Sequence, residues 1–459
     1  MPFNIDNAPL GWRQFLITGV ASLGQLIGTG LATLVSVIIP LYQLIAHPEL
    51  SSFMQGLVGA MDLIGIMVGS TILGKLSDHF GYLFFFRLCP AIICVSSVIA
   101  LIFPNLTVLI ICLFFMGFGI GGEYSLDSNY ISELMPEKWS FLMVGAAKAA
   151  SAMGNIGVAG VCFLMVRDWT DPHLWPHLLW IMIAISGFMI ISRIRFWESP
   201  KWLLEHGRYE QAQTDVHHFL GPDVNIDESD IESKKLELEA KEKEKASGQH
   251  SNFFIRNWKK IIFTGIPWAC EGLGVYGIGV FLPILVMALG IEPPASSASP
   301  LKEVASSVEI TLWISCIILP GFILGLALIN RIDGAKIQWS GFLLSAASLL
   351  ILLLAYDHHW ARWISILAFM CFELFLNMGP HLMTYVLPPK VYPVADRGLG
   401  TGIAASLGKL GAVLGVFFIP ILLHSGGSSL VLIVSIIVML IGGAVTFLFN
   451  PDRKPKPAA

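Results

Sequence analysis

Charged residues are scarce in this chain of 459 residues. They make up 13% of the sequence, whereas a soluble domain usually carries about 25%. Hydrophobic residues make up 55%, and the mean hydropathy is +0.72. With so little charge, most of the surface is expected to face a lipid bilayer and not water. The net charge of −4 leaves no basic excess, which excludes nucleic acid as a partner.

Sequence patterns of disulfides, metal sites and hydrolytic centres are also missing. Seven cysteines are scattered singly through apolar stretches without a CxxC pair, which favours buried packing. His79, His381 and the pair His358-His359 show no metal spacing and are assigned to loops or to the lining of a cavity. Neither HExxH nor GxSxG occurs, and the glycine-rich stretch 402–409 lacks the spacing and the Ser or Thr of a phosphate-binding loop. These absences predict no enzyme, cofactor or metal.

Long apolar runs dominate the sequence instead, and a helix needs about 20 apolar residues to cross the hydrocarbon core. Six runs precede a polar stretch and six follow it: 14–44, 51–74, 81–103, 107–130, 140–166 and 175–196, then 258–289, 306–329, 337–356, 361–387, 397–424 and 428–449. The first run lacks the flanks of a signal peptide, so we expect it to be retained. The sequence predicts an all-α membrane protein of twelve transmembrane helices in two six-helix bundles.

Basic residues determine the predicted orientation. Placing both termini in the cytoplasm puts 23 of the 28 Lys and Arg residues on that side, and only Arg167, Lys302 and Arg362 outside. The core of the polar stretch, 234–245, mixes both charges at helical spacing and predicts a solvated helix. We expect a tether, with a regulatory or partner-binding role as the alternative. The predicted domains are a bundle at 1–196, a cytoplasmic linker at 197–257, a second bundle at 258–450 and a cytoplasmic tail at 451–459.

Three motifs in the first half are shared with a known superfamily: Gly74-x-Leu-x-Asp78-His-x-Gly81, Gly117-x-Gly119-x-Gly121-Gly122-Glu123-Tyr124 and Glu198-Ser-Pro200-Lys-Trp202. Through them the chain resembles the major facilitator superfamily over nearly its whole length. The resemblance implies that Gly74, Asp78 and Gly81 form a conformational signature. The superfamily usually follows the second glycine of that signature with two basic residues, and this chain has Tyr82 and Leu83 there.

The second half carries a more specific pattern, Asn377-x-Gly-Pro380-x-x-x-Thr384-Tyr-x-x-Pro388 followed by Gly402-Ile-x-Ala-Ser-x-Gly408-Lys409. It resembles helices ten and eleven of the proton-coupled phosphate and organic-anion symporters, and Gly379-Pro380 predicts a kink in helix ten. Those symporters place a tryptophan in helix seven, an acid four residues on and a tyrosine eight residues on. Trp268 and Tyr276 match, but the acid is displaced to Glu271, about 100° around an α-helix.

Charged side chains inside a bilayer are costly, so they usually line a cavity or pair with each other. The candidate acids within the runs are Asp62, Glu123, Asp127, Glu271 and Glu373. Glu123 and Asp127 share one helix face, and two close carboxylates do not both ionise cheaply in a low dielectric. One of them is therefore a candidate proton carrier, with Glu271 and Asp62 as further candidates. A purely structural pairing of Glu123 or Asp127 with Lys148 or a backbone amide is the alternative.

Two lysines within the runs are candidates for binding an anion. Lys148 interrupts a small-residue stretch suited to close helix packing, and it either neutralises Asp127 or contacts the substrate. Sugar porters carry a glutamine near that position, so by resemblance Lys148 argues against a neutral sugar. Lys409 matches the symporter pattern, with pairing to Glu373 as the alternative. The predicted substrate residues are Tyr124, Lys148, Trp268, Tyr276, Asn377, His381 and Lys409.

We therefore expect a secondary active transporter that moves a small organic anion or phosphate, coupled to protons by symport. Proton-driven export of a drug-like or siderophore-like compound is the first alternative, and a receptor that binds solute without moving it is the second. The expected partners are a small-molecule substrate, a proton and the lipid bilayer, and the chain is expected to act as a monomer. Short tails and loops favour a multi-pass protein of a bacterial inner membrane.

Overall fold

Helices form the regular structure of the described chain. The computed structural model describes residues 11–46, 49–221, 224–226, 253–290, 299–329, 331–392 and 394–451. The predicted charged helix at 234–245 and residues 452–459 of the tail lie outside them. Within the described residues, the all-α prediction is confirmed.

The helices follow the apolar runs closely. In the first half they are α1 Trp12–Ala21, α2 Leu23–Gln43, α3 Ser52–Phe80, α4 Tyr82–Ile102, α5 Leu106–Leu134, α6 Glu137–Val166, a 3-10 helix Pro172–Leu178, α7 Leu179–Ser192, α8 Pro200–Glu205 and α9 Tyr209–Leu220. In the second half they are α10 Phe253–Gly272, a π-helical turn Leu273–Ile278, α11 Leu282–Ala288, α12 Pro300–Ser315, α13 Ile318–Leu328, α14 Gly334–Asp357, α15 Arg362–Met378, α16 Pro380–Val391 and α17 Val394–Phe449.

Eleven stretches of the described chain are long and apolar enough to cross a membrane. The last of them, Gly400–Phe449, has 50 residues, which as a straight helix would be about 75 Å long, more than twice the thickness of a hydrocarbon core. Its backbone leaves helical geometry at Gly427, between the two runs predicted at 397–424 and 428–449. Divided there, the spans number twelve, as the apolar runs predict.

Glycine and proline mark the breaks in the helices. Gly379 has φ −109° and ψ −87°, and it separates α15 from α16, whose first residue is Pro380. This confirms the kink predicted in helix ten. Gly81, with φ +91°, is the one residue between α3 and α4, so the motif that begins at Gly74 is helical up to Phe80.

The chain forms two compact units. One comprises Met1–Thr29, Gly65–Gly154 and Leu179–Phe253, and the other comprises Gly30–Ile64, Asn155–Leu178 and Phe254–Ala459. We call them the first and the second unit. They differ from the predicted bundles 1–196 and 258–450, because α2, α3 and α6 each contribute to both. The predicted division into two bundles stays a prediction.

Helices α3 and α5 cross at glycines within the first unit. A Cβ built on Gly69 would lie 2.8 Å from the carbonyl carbon of Phe118, and one on Gly121 would lie 2.6 Å from the backbone nitrogen of Ser70. Both neighbours are backbone atoms, which cannot rotate away as a side chain can. Close packing of small residues is the usual way in which membrane helices associate.

We expect Gly69→Ala to lower the free energy of unfolding by about 1–3 kcal/mol, because the added methyl group forces α3 and α5 apart. Gly157→Ala is the matched control, since a Cβ there meets nothing within 4 Å. Thermal unfolding of the purified protein in detergent measures both. Equal unfolding temperatures for the two variants would show that the crossing tolerates a methyl group.

Candidate transport site

A fully buried ion pair lies in the first unit. Arg193 follows α7, and its Nη1 lies 2.7 Å from the carboxylate of Glu123 on α5, with neither side chain exposed. The same guanidinium donates to the carbonyl oxygens of Phe86 at 3.1 Å and Val20 at 3.3 Å. It also lies 4.6 Å from the centre of the Phe86 ring. One side chain therefore joins α1, α4, α5 and the end of α7.

Asp127, one helical turn after Glu123, shares this guanidinium at a longer distance. Its Oδ1 lies 3.9 Å from Arg193 Nη2, beyond hydrogen-bonding distance. The side chain of Asp127 is buried beside that of Gln25 on α2. Gly24 on α2 leaves room for both acids, since a Cβ there would lie 2.9 Å from Glu123 Oε2 and closer still to Asp127 Oδ2.

Arg193 is the functional candidate that the sequence analysis missed. The orientation count placed it with the cytoplasmic charges, and the structural alternative for Glu123 named Lys148 or a backbone amide as its partner. That partner is wrong, because Glu123 pairs with Arg193. A signal was present, since Arg193 lies inside the apolar run 175–196, where a charge requires a partner. The proton-carrying roles of Glu123 and Asp127 stay predictions.

Lys148 lies in the same unit beside an amide and an aromatic ring. Its side chain is buried on α6, and Nζ lies 3.5 Å from Gln25 Oε1 on α2. The ammonium also lies 5.8 Å from the centre of the Tyr124 ring on α5. An ammonium carries three hydrogen-bond donors and no acceptor, so this group suits an anionic ligand.

In the second unit, a π-helical turn changes which residues share a face. The turn spans Leu273–Ile278, and π-helical hydrogen bonds join residues five apart. Glu271 lies just before this turn and Tyr276 lies in it, five residues further on. In a regular α-helix Glu271 would be about 100° away from the position of the family acid. The π-helical turn brings it back toward the face of Tyr276. Turns of this kind are frequent at functional sites.

Glu271 binds His381. Nδ1 of His381, the second residue of α16, is hydrogen bonded to Oε1 of Glu271, and both side chains are buried. The ring of Phe322 on α13 meets the imidazole edge on, with centroids 5.3 Å apart. A neighbouring aromatic pair, Trp268 and Tyr385, has ring centroids 5.3 Å apart.

Lys409 on α17 completes this group. Its Nζ lies 5.0 Å from the centre of the Tyr276 ring, and it interacts electrostatically with Glu271 and Asp62. Asp62 on α3 is buried, and its Oδ1 accepts the backbone N–H of Leu63 at 2.8 Å. The second unit thus brings together three of the predicted substrate residues, Tyr276, His381 and Lys409, and two of the predicted proton carriers, Glu271 and Asp62.

Glu373 and Asn377 form a separate pair on α15. Asn377 Nδ2 donates to Glu373 Oε2 at 3.1 Å and to the Glu373 carbonyl oxygen at 2.8 Å. Glu373, which the sequence offered as a partner for Lys409, is therefore engaged by Asn377. Among the residues that the structure describes, no three His, Cys, Asp or Glu side chains are placed to hold a metal ion.

Outside the spans, the first and third motifs of the sequence analysis meet. Glu198 accepts the backbone N–H groups of Tyr82 at 2.9 Å and Leu83 at 3.1 Å, so its carboxylate caps the start of α4. Backbone amides thus contact Glu198 at the two positions where the superfamily usually has basic residues. Gly81 makes this approach possible, since a Cβ there would meet the same carboxylate. The charge of Glu198 also reaches a neighbouring carboxyl group, that of Asp215. Burial raises the pKa of Asp215, and the negative charge of Glu198 raises it further. The side chain of Asp78 lies outside the described residues.

Buried charges on helices that cross a membrane define a polytopic transport protein. A family model described as sugar (and other) transporter matches residues 12–458, and the chain belongs to that family, within the major facilitator superfamily. Its members named below are transporters, and this chain is a multi-pass membrane protein.

Similar proteins cover most of the chain. The inner membrane metabolite transport protein YgcS of Escherichia coli is 26% identical over 90% of this chain and 86% of its own length. Inorganic phosphate transporter 1-4 of Arabidopsis thaliana is 27% identical over 78% of this chain and 72% of its own length. The inward-open xylose transporter of E. coli superposes with a TM-score of 0.77 at 18% identity, covering 96% of this chain and 98% of its own. The last likeness shows the fold alone.

We expect Arg193→Met to cost about 3–5 kcal/mol of stability, because it leaves a buried carboxylate without its counter-charge. Adding Glu123→Gln is expected to recover much of that loss. Arg167→Met is the control, since its pair with Asp168 is exposed and worth at most about 1 kcal/mol. Thermal unfolding of wild type, Arg193→Met, Glu123→Gln and the double variant gives the coupling energy, and Arg167→Met is measured beside them. No recovery in the double variant would show that Arg193 acts through its backbone acceptors and not through Glu123.

We expect Gly81→Ala to lower the unfolding temperature more than Gly221→Ala. The two glycines have similar φ and ψ, +91° and 159° at Gly81 and +107° and 164° at Gly221, so both substitutions strain the backbone alike. Only the Cβ at Gly81 meets a side chain, the Glu198 carboxylate, whereas nothing lies within 4 Å at Gly221. The difference between the variants therefore reports the loss of the cap on α4. A zero difference contradicts that role for Glu198.

Proposed function

We propose that this chain is a proton-coupled symporter that moves small anionic metabolites, organic acids or phosphate, across a bacterial inner membrane. Family membership supports transport. The names of the relatives, an inner membrane metabolite transport protein and an inorganic phosphate transporter, support the inner membrane and an anionic cargo. The protein acts as a monomer by alternating access of its two bundles to the two sides of the membrane.

The observation that carries the anionic substrate is a pair of lysines within the spans. Lys148 lies on the fifth span and Lys409 on the eleventh, which is the fifth of the second half. Each ammonium lies near a tyrosine ring, at 5.8 Å from Tyr124 and 5.0 Å from Tyr276. A bound anion adds a full negative charge beside each ammonium, and opposite charge lowers the cost of an ammonium in the membrane.

The proton is assigned to Asp127. Glu123 is bound to Arg193 at 2.7 Å, and a guanidinium stays charged, so this pair is ionised. Asp127 shares the same guanidinium at 3.9 Å. One guanidinium neutralises one carboxylate, so protonation of the second removes the excess charge. One proton that enters with a monovalent anion makes the transported charge zero, so the pH gradient drives accumulation of the substrate, at about 1.4 kcal/mol per unit of pH.

We expect purified protein in liposomes to accumulate one or more of labelled phosphate, succinate and other carboxylates when a pH gradient is imposed. Asp127→Asn is expected to abolish the part of uptake that the gradient drives, while exchange of labelled for unlabelled anion persists. Lys148→Gln and Lys409→Gln are each expected to raise KM by at least about tenfold, because each removes a full charge near the anion.

Lys302→Gln is the matched control, because it removes an exposed lysine with the same substitution. Labelled xylose serves as the neutral comparison. Uptake of sugar but of no anion would overturn the assigned substrate class. Outward flux of a larger compound, with no anion uptake, would favour proton-driven export.

A further inference from the structure

We propose that Glu271 and His381 together form a second proton-binding site, and that its proton compensates the charge of an anion held at Lys409. The inference rests on the proposed function, because it concerns how symport balances charge. It gives the second unit a proton site of its own, apart from the Glu123–Asp127 pair of the first unit.

The contact between Glu271 and His381 is where the added proton is placed. His381 Nδ1 faces a carboxylate oxygen of Glu271 within hydrogen-bonding distance. Without the added proton, a carboxylate and a neutral imidazole carry one negative charge. With it, the pair is neutral, whichever of the two groups holds the hydrogen. Both side chains are buried, so this change of one charge occurs away from bulk water.

The groups around His381 make that charge matter. Glu271 and Tyr276 come from α10 and its π-helical turn, Asp62 from α3, and Lys409 from α17. Glu373 and Tyr385 lie on the two helices on either side of Gly379. Helix α13 contributes Phe322, which does not titrate.

With a neutral histidine, the Glu271 carboxylate already balances the Lys409 ammonium, so an incoming anion adds an excess of negative charge. Protonated His381 cancels that excess. Binding of the anion and binding of the proton then favour each other, and this linkage is reciprocal.

The two proposed proton sites differ in the cation that accompanies the carboxylate. In the first unit, Arg193 is a permanent cation, and the proton adds to a carboxylate. In the second unit, the cation is itself titratable, since histidine changes charge near neutral pH. One anion is therefore expected to enter with two protons, one for each unit. The KM for the anion should fall about tenfold for each unit of acidification where a coupled proton is bound.

The test compares wild-type protein with His381→Gln in liposomes. Glutamine can still donate to Glu271 but binds no proton at neutral pH. With the membrane potential clamped to zero, the ratio of protons to anion follows from the accumulation of the labelled anion at a fixed pH gradient, since each coupled proton adds about a factor of ten per pH unit. We expect the ratio to be lower by one in His381→Gln, with a flatter dependence of KM on pH. His358→Gln, the same change at an exposed histidine, should leave both unchanged.

A wild-type ratio and pH dependence in His381→Gln would overturn the proposal. Should that variant fail to fold, Glu271→Gln tests the same pair, and it is expected to lower the ratio as well. Exchange of labelled for unlabelled anion persists in Asp127→Asn, and a KM for exchange that keeps the pH dependence lost in His381→Gln would show that the two sites are separate.

A proton titration of purified protein without any anion separates this proposal from the proposed function. Between pH 8 and pH 5, wild type is expected to bind one more proton than His381→Gln. Equal titration overturns the second site. If wild type moves no anion, the proposed function fails and the coupling to an anion fails with it, even where the titration shows the proton.

Discussion

The cost of holding charge inside a membrane is the constraint on which this structure depends. Arg193 and Glu123 have no exposure, so each requires the other. Backbone acceptors on α1 and α4 and the ring of Phe86 also contact the guanidinium. Because every partner satisfies the same buried cation, the positions of four helices in the first unit are tied to one side chain.

In the second unit, the buried charges are balanced by side chains whose protonation can change. Its cations are Lys409 and, when protonated, His381, and its acids Glu271 and Asp62 lie within their electrostatic reach. Replacing a permanent cation by a titratable one changes what the cluster can do. A guanidinium holds its helices at any pH, whereas an imidazole lets the local charge follow the proton supply and the bound solute.

The lengths of the apolar runs and the positions of glycine and proline were enough to predict the spans and their breaks, because both depend on residues that are close together in the sequence. The runs of about 20 residues and the breaks at Gly379 and Gly427 are visible in the sequence alone. The partners of the buried charges were not. Arg193 and Glu123 are 70 residues apart, and Glu271 and His381 are 110 apart, so only tertiary packing brings them together. The type of buried residue was predictable, and its partner was not.

The π-helical turn shows why spacing alone misplaced Glu271. A motif read in α-helical steps assigns the acid to a different face from Tyr276. One turn with hydrogen bonds between residues five apart moves the phase of the helix by about one residue. The displacement of the acid and the presence of the turn therefore offset each other, and Glu271 acts on Lys409 beside Tyr276. A departure from a family spacing is evidence against a shared site only when the helix between the two residues is regular.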